Sequence, residues 1–302
     1  MGCAITPSPR RIARCRPERN RDWCRTITID GAPRPSQRLS TRHAACYTRR
    51  SMIIAQISDT HIDPDSPNAA QRVRELERCV DDINRLDPLP DVVFHTGDLV
   101  HNGNAAKYQI AARILGGLRC PLHVAVGNRD DRAIIRSTFA AGRDLLSDTP
   151  FVQFSVDRYP VRLIALDTLS ETTNMGEFCD IRANGLRAAL AEDGAKPTAL
   201  FMHHPPFEIC ESKYRWQFDS LDGIERLRQA LEGQSHVLRA FCGHAHRYAE
   251  GKIAGVPVTS TPSVAIDLRL GTVPDGAQSA PLYQIHRFDA RSGFTSEIRV
   301  AP

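Results

Sequence analysis

Five short apolar runs in this chain each end in a polar cluster, and that repetition limits the fold more than any other feature. Residues 53–57 lead into Asp59-Thr60-His61, and 92–95 into Gly97-Asp98. Residues 122–126 lead into Gly127-Asn128-Arg129-Asp130-Asp131, 198–202 into His203-His204-Pro205-Pro206, and 237–241 into Gly243-His244-Ala245-His246. Runs of this length are strand-sized and too short for helices. Between them lie segments of helical period. Residues 68–86 put Val73, Leu76, Val80 and Ile83 on one face, and 105–115, 132–139, 183–191 and 224–231 read as further helices. Residues 151–156 and 161–166 read as a hairpin, and 256–259, 282–286 and 296–300 as later strands. Strands alternating with helices imply an α/β layered domain whose helices cover the sheet faces. Ligands in such folds bind beyond the carboxyl ends of strands, so five clusters at five such ends can converge on one site.

The metal-binding side chains in the clusters are Asp, His and Asn, and none of the clusters contains Cys. Imidazole and carboxylate donors suit Zn, Fe, Mn and Co, and the lack of thiolates argues against a structural zinc site. Gly97, Gly127 and Gly243 stand where the backbone must turn sharply beside other chain segments.

Asp59-x-His61, Gly97-Asp98, Gly127-Asn128, His203 and Gly243-His244-x-His246, in that order, resemble the calcineurin-like metallophosphoesterases. The resemblance spans roughly residues 52–265. Ile57-Ser58-Asp59-Thr60-His61 and His203-His204-Pro205-Pro206 narrow it to the bacterial class III cyclic-nucleotide phosphodiesterases and the related glycerophosphodiesterases. It implies a β-sandwich flanked by helices with two metal ions at strand ends, drawn from Fe, Mn, Zn or Co. One ion is expected on Asp59, His61, Asp98 and His246, and the other on Asp98, Asn128, His203 and His244. Asp98 then bridges, a carboxylate having two oxygens to offer. Two such cations imply in-line hydrolysis by an activated water, with no protein nucleophile. Of the two adjacent histidines, His203 matches the ligand position. His204 is left to support the site or to assist catalysis.

Two departures from the family pattern bear on chemistry. Arg129 stands where relatives carry His beside the phosphate. Its pKa is too high for a general acid, but a guanidinium clamps phosphate oxygens in pairs. His101 stands where many relatives have Asp or Asn, and is either a replacement acid or a loop residue. The loop 207–219 carries Tyr214, Arg215, Trp216 and Phe218. Tyr214 and Trp216 are candidates for stacking on a substrate base, or for a lid or subunit contact. Residues 261–281 are rich in Gly and Pro and read as a rim or a dimer contact.

The expected activity is hydrolysis of small phosphodiesters, cyclic nucleotides first and glycerophosphodiesters second. A phosphomonoesterase of the same family and a non-catalytic binding module are the alternatives. Charge excludes a general nucleic-acid binder. Residues 1–51 hold 12 Arg against Glu18, Asp22 and Asp30, a net of +9, whereas the other 27 basic and 32 acidic residues leave −5. Residues 1–51 also hold four of the nine Cys and show no core-forming pattern. They read as sequence foreign to the natural protein, a disordered tail or an organelle-targeting peptide. The expected domain is therefore 52–302. Its five scattered Cys fit a reducing cytoplasm. No apolar run is long enough to span a membrane, so none is expected as a partner.

Overall fold

The computed structural model describes residues 51–139, 144–145 and 149–302. The expectations for residues 1–50 lie outside the described residues. Ser51, assigned to that segment, instead opens the first strand, where it pairs with Asp289.

Twelve strands and five helices follow one another in a mostly alternating order among the described residues. Strand β1 (Ser51–Ile57) runs to helix α1 (Ala69–Arg85), β2 (Val92–His95), α2 (Ala105–Leu115), β3 (Leu122–Val124) and α3 (Arg132–Phe139). Next come β4 (Asp144–Leu145), β5 (Phe154–Val156), β6 (Arg162–Ala165), α4 (Asp180–Glu192), β7 (Thr198–Phe201), α5 (Leu221–Leu231) and β8 (Val237–Cys242). The chain ends in β9 (Ala249–Ile253), β10 (Val256–Ser260), β11 (Leu282–Asp289) and β12 (Gly293–Val300). They form two mixed sheets, β12-β11-β1-β2-β3 and β4-β5-β6-β7-β8-β10-β9. The layering of helices on sheets is what the sequence pattern predicts, and the two-sheet sandwich is what the family resemblance implies.

Side-chain alternation explains the layers. Along β6 and β7, Leu163, Ala165, Ala199 and Phe201 enter the core between the sheets, while Ile164, Leu166, Leu200 and Met202 enter the core under α4 and α5. Every second residue of a strand points to the opposite face, so a strand apolar on both faces is covered on both. Phe94 of β2 and Phe201 of β7 stack across the inter-sheet space with ring centroids 3.6 Å apart. A polar group is buried there too. His286 of β11 is hydrogen-bonded to Gln56 at 2.9 Å and Ser296 at 2.8 Å, and lies 3.9 Å from the Phe241 ring.

Strand β9 is a correction to the sequence reading, which placed no strand there. Ala-Glu-Gly-Lys-Ile has too few apolar residues to register. It forms because it is an edge strand, with Glu250 and Lys252 exposed, pairing with β10 on one side only. Gly251 is required in it, since a Cβ there would stand 2.2 Å from the Phe207 ring.

Candidate metal centre

All five clusters meet at the carboxyl ends of β1, β2, β3, β7 and β8. Parallel pairing of β1 with β2 and β2 with β3 brings Asp59, Asp98 and Asn128 to one edge of the first sheet. Parallel β7 and β8 bring His203 and His244 to the matching edge of the second. The joining backbone is unusual. Asp59, His61, Asp98, His244 and His246 all have positive φ, between 43° and 64°. Side-chain-bearing residues rarely adopt this conformation, and it costs of order 1–3 kcal/mol each where the surroundings enforce it. Here the surroundings enforce it through hydrogen bonds from Asp59 N to Gly97 O and from His61 N to Asp98 O, both 3.0 Å. Glycine lets the strand ends meet: a Cβ on Gly127 would lie 2.3 Å from Asp98 N, and one on Gly243 2.0 Å from Ser58 Oγ.

Two donor sets result. In the first, Asp59 Oδ1 lies 3.3 Å from His246 Nε2 and 3.8 Å from His61 Nε2, and those two nitrogens are 3.2 Å apart. In the second, Asn128 Oδ1 lies 3.0 Å from His203 Nε2 and 2.9 Å from His244 Nδ1, which are 3.3 Å from each other. Asp98 Oδ2 is 3.5 Å from both His61 Nε2 and His203 Nε2. One oxygen, not two, therefore faces both sets. Oδ1 is turned away and accepts the Arg129 backbone N–H at 2.7 Å.

The donor set fits metal. His203 Nδ1 faces the Thr96 carbonyl at 2.8 Å and His246 Nδ1 the Leu268 carbonyl at 2.9 Å. A carbonyl only accepts, so each Nδ1 carries a proton, and Nε2 is the nitrogen that can offer a lone pair to a metal. The two Nε2 atoms point at Asn128 Oδ1 and at the Asp59 carboxylate, which are also lone-pair donors. Either a proton on Nε2 or a metal ion reconciles these contacts, and a ligand set of this kind exchanges the one for the other.

Electrostatics agree. Burial would raise the Asp59 carboxyl, yet His246, His203 and His61 hold it far below the usual carboxylate range. Asp98 is likewise held low against burial, by His203 and His61. Burial pushes the His61 imidazole down to about 4, and burial with the nearby His203 pushes His244 down to about 3. Against burial, Asp98 pulls His203 up to about 9 and Asp59 raises His246, so two ionised carboxylates hold protons on two imidazoles that a metal ion would displace.

Around this centre the other sequence candidates divide. His101 stands at the rim, partly exposed, with its Nδ1 3.5 Å from His61 Nδ1. Arg129 is half-buried, and its Nη1 donates to Asn102 Oδ1 at 3.1 Å. His204 has both ring nitrogens on protein groups. Its Nδ1 lies 2.8 Å from Thr168 Oγ1 and its Nε2 3.2 Å from the Asn174 carbonyl, so no ring nitrogen is left to exchange a proton with substrate. Tyr214 and Trp216 are exposed, at 59% and 38%, and make no hydrogen bond or ring contact to the donor residues among the described residues. The rim 261–281 does touch the site: Ser263 Oγ donates to Asp59 O, and Leu270 N to His246 O. Asp130 was quoted in the sequence only as part of its cluster. It accepts the backbone N–H groups of Asp98 and Gly127 at 2.8 and 2.9 Å, and the Tyr108 hydroxyl at 3.0 Å. The Thr96 and Leu268 carbonyls left no sequence signal, because any residue supplies one.

Residues 52–248 match the calcineurin-like phosphoesterase family. The chain belongs to that family. The calcineurin-like phosphoesterases are metal-dependent hydrolases with dinuclear sites, which agrees with the paired donor sets. The chain is 31% identical to a probable glycerophosphodiester phosphodiesterase of Arcobacter nitrofigilis over 81% of its length and 92% of the relative's. It is 33% identical to the glycerophosphodiester phosphodiesterase GpdQ of Enterobacter lignolyticus, over 69% and 77%. It is 32% identical to a probable cyclic nucleotide phosphodiesterase of Rhodopseudomonas palustris, over 67% and 73%. Among solved structures, a dimetal phosphatase from Danio rerio superposes with a TM-score of 0.61 at 14% identity, covering 83% of this chain and 99% of that one. At that identity the likeness is one of fold. No helix among the described residues is long and apolar enough to cross a membrane.

Proposed function

We propose that this phosphoesterase hydrolyses small phosphodiesters, with glycerophosphodiesters ahead of cyclic nucleotides. The observation that carries the reading is the single oxygen of Asp98 facing two donor sets, with Arg129 next to Asn128 in the same turn. Asp59, His61, Asp98 and His246 hold one ion, and Asp98, Asn128, His203 and His244 the other. Two cations held there would offer positive charge to phosphoryl oxygens and lower the pKa of a bound water. The chain's own groups do the rest. Asp98 sets the spacing of the two sites. Arg129 grips a non-bridging phosphate oxygen and suits the single negative charge of a diester. His101 sits on the rim beside His61, where a leaving oxygen would depart. The substrate order reverses the one read from the motifs. Its support is that two relatives named for glycerophosphodiesters are 31% and 33% identical over 253 and 227 residues, against 32% over 213 for the Rhodopseudomonas relative named for cyclic nucleotides and 24–28% for five further relatives named for cyclic-nucleotide cleavage.

The test is a panel on the purified, Mn2+-loaded protein: bis-p-nitrophenyl phosphate, p-nitrophenyl phosphate, a glycerophosphodiester, and 3′,5′- and 2′,3′-cyclic AMP. Diester kcat/KM above monoester kcat/KM is expected, with the glycerophosphodiester above either cyclic nucleotide. A preference for the monoester sinks the diester reading. A cyclic nucleotide in first place restores the original order.

A further inference from the structure

His204 is fully buried beside the second donor set, yet both of its ring nitrogens serve the protein. The Asn174 carbonyl can only accept, so Nε2 carries the proton. Nδ1 is then bare and accepts from the Thr168 hydroxyl, whose oxygen in turn accepts the His204 backbone N–H at 3.3 Å. One tautomer and one ring orientation satisfy this closed arrangement.

The frame around it is rigid. Asp167 accepts from Arg132 Nε at 2.7 Å, Val152 N at 2.8 Å and Leu169 N at 3.0 Å, which pins the residues on either side of Thr168. The Leu169 carbonyl takes Arg132 Nη2 at 2.6 Å and Arg182 Nη2 at 3.0 Å. Gly176 then crosses directly over the ring, where a Cβ would stand 2.8 Å from His204 Cβ.

The other faces of the His204 ring meet the histidines of the second set. Its centroid is 4.3 Å from that of His244, at 52°, and 4.8 Å from that of His203, at 86°. His203 has a tether of its own through Nδ1 to Thr96. His244 has no hydrogen bond at its other ring nitrogen among the described residues, so packing fixes its tilt. A buried ring in one rotamer leaves its neighbours few orientations.

We infer that His204 is a positioning residue for the second metal: its ring, clamped by Thr168 and Asn174, wedges His203 and His244 so that their nitrogens meet at Asn128. Groups that orient metal ligands typically change affinity by about ten- to a hundred-fold when removed. The inference rests on the second-site assignment proposed above.

The test titrates the metal-free full-length protein with Co2+ and follows its visible absorption bands, which report ligand geometry. Wild type is expected to take two ions in distinguishable steps. His204→Ala should weaken the second step by about ten- to a hundred-fold and alter its band while leaving the first step intact. His204→Phe should restore part of the second step, since the ring returns without its clamps. Thr168→Val keeps the ring but removes one clamp, and should weaken the second step several-fold while leaving the first step intact. Equal loss at both sites in His204→Ala, or a wild-type second band in it, overturns the inference. Should His204→Ala not fold, a wild-type second band in Thr168→Val overturns it. Wild-type protein that takes fewer than two ions instead overturns the site assignment itself.

Discussion

Asp130 accepts the backbone N–H of Asp98 at 2.8 Å, so a carboxylate outside the donor sets holds the residue at their centre. It also accepts the Leu99 N–H at 3.1 Å and the Gly127 N–H at 2.9 Å. Three backbone donors from two strand ends thus converge on one side chain. This ties Asp98, in its left-handed conformation, to the turn that carries Asn128. Asp130→Ala would strand those buried N–H groups, each costing about 1–3 kcal/mol. The expected loss is about 3 kcal/mol or more in urea unfolding of the metal-free protein, together with weaker binding of both ions. A variant with wild-type stability and two tightly bound ions would show that the turn holds itself.

Asp98 and Asn128 should separate by metal count. Asp98 Oδ2 faces both donor sets, whereas Asn128 Oδ1 contacts only His203 and His244. Asp98→Ala is expected to lose both ions, and Asn128→Ala only the second. Elemental analysis after gel filtration measures this, and two ions retained by Asp98→Ala would refute the bridge.

Arg129 sets the expected dependence on leaving group. It is a permanent cation that cannot donate a proton to a departing alkoxide. The rate should therefore fall steeply as leaving-group pKa rises, so that p-nitrophenyl diesters are cleaved much faster than alkyl diesters. Arg129→Ala should lower kcat/KM on both kinds by roughly ten-fold or more as the clamp is lost. Arg129→His should recover rate on the alkyl diesters alone, because a donor returns. A shallow dependence in wild type would assign the proton to another group, and His101 at the rim is the first to replace.

Stability of the metal-free protein should fall on acidification because of His286. Burial, then Arg239, push its imidazole from 6.5 down to about 3 in the folded chain. The unfolded chain titrates near 6.5, so below that pH it takes up a proton that the folded chain refuses. This histidine's contribution is thus intact above about pH 6.5 and is lost as pH falls toward 3. At pH 5 the loss from this one site is about 2 kcal/mol. Urea unfolding at pH 7.5 and pH 5, in wild type and His286→Gln, measures it. The variant should show the smaller drop, and equal drops would mean that His286 is not the group responsible.

Much of the centre was legible because ligand chemistry is written in residue type. Asp59, His61, Asp98, Asn128, His203, His244 and His246 each follow an apolar run, and strand ends of parallel sheets lie together. The strand β9 was illegible because an exposed edge needs little apolar content. The role of Asp130 was illegible because a carboxylate that accepts backbone N–H groups looks, in sequence, like one that binds metal.

By itself, then, the sequence determined the layering of helices on sheets, through runs apolar on both faces, and the five polar clusters, through their place after those runs. Only the tertiary structure decided how the donors are used. It turned five of the seven backbones left-handed, aimed one oxygen of Asp98 at both sets, and gave His203 Nδ1 and His246 Nδ1 to carbonyls from distant segments. It also set two adjacent histidines on different partners, in line with the family resemblance that picks His203. Successive residues at the end of β7 point to opposite sides, so His203 faces Asn128 and His204 faces the Thr168–Asn174 segment. The partners that set them apart come from chain segments more than 25 residues away, and their meeting is a property of the packed fold.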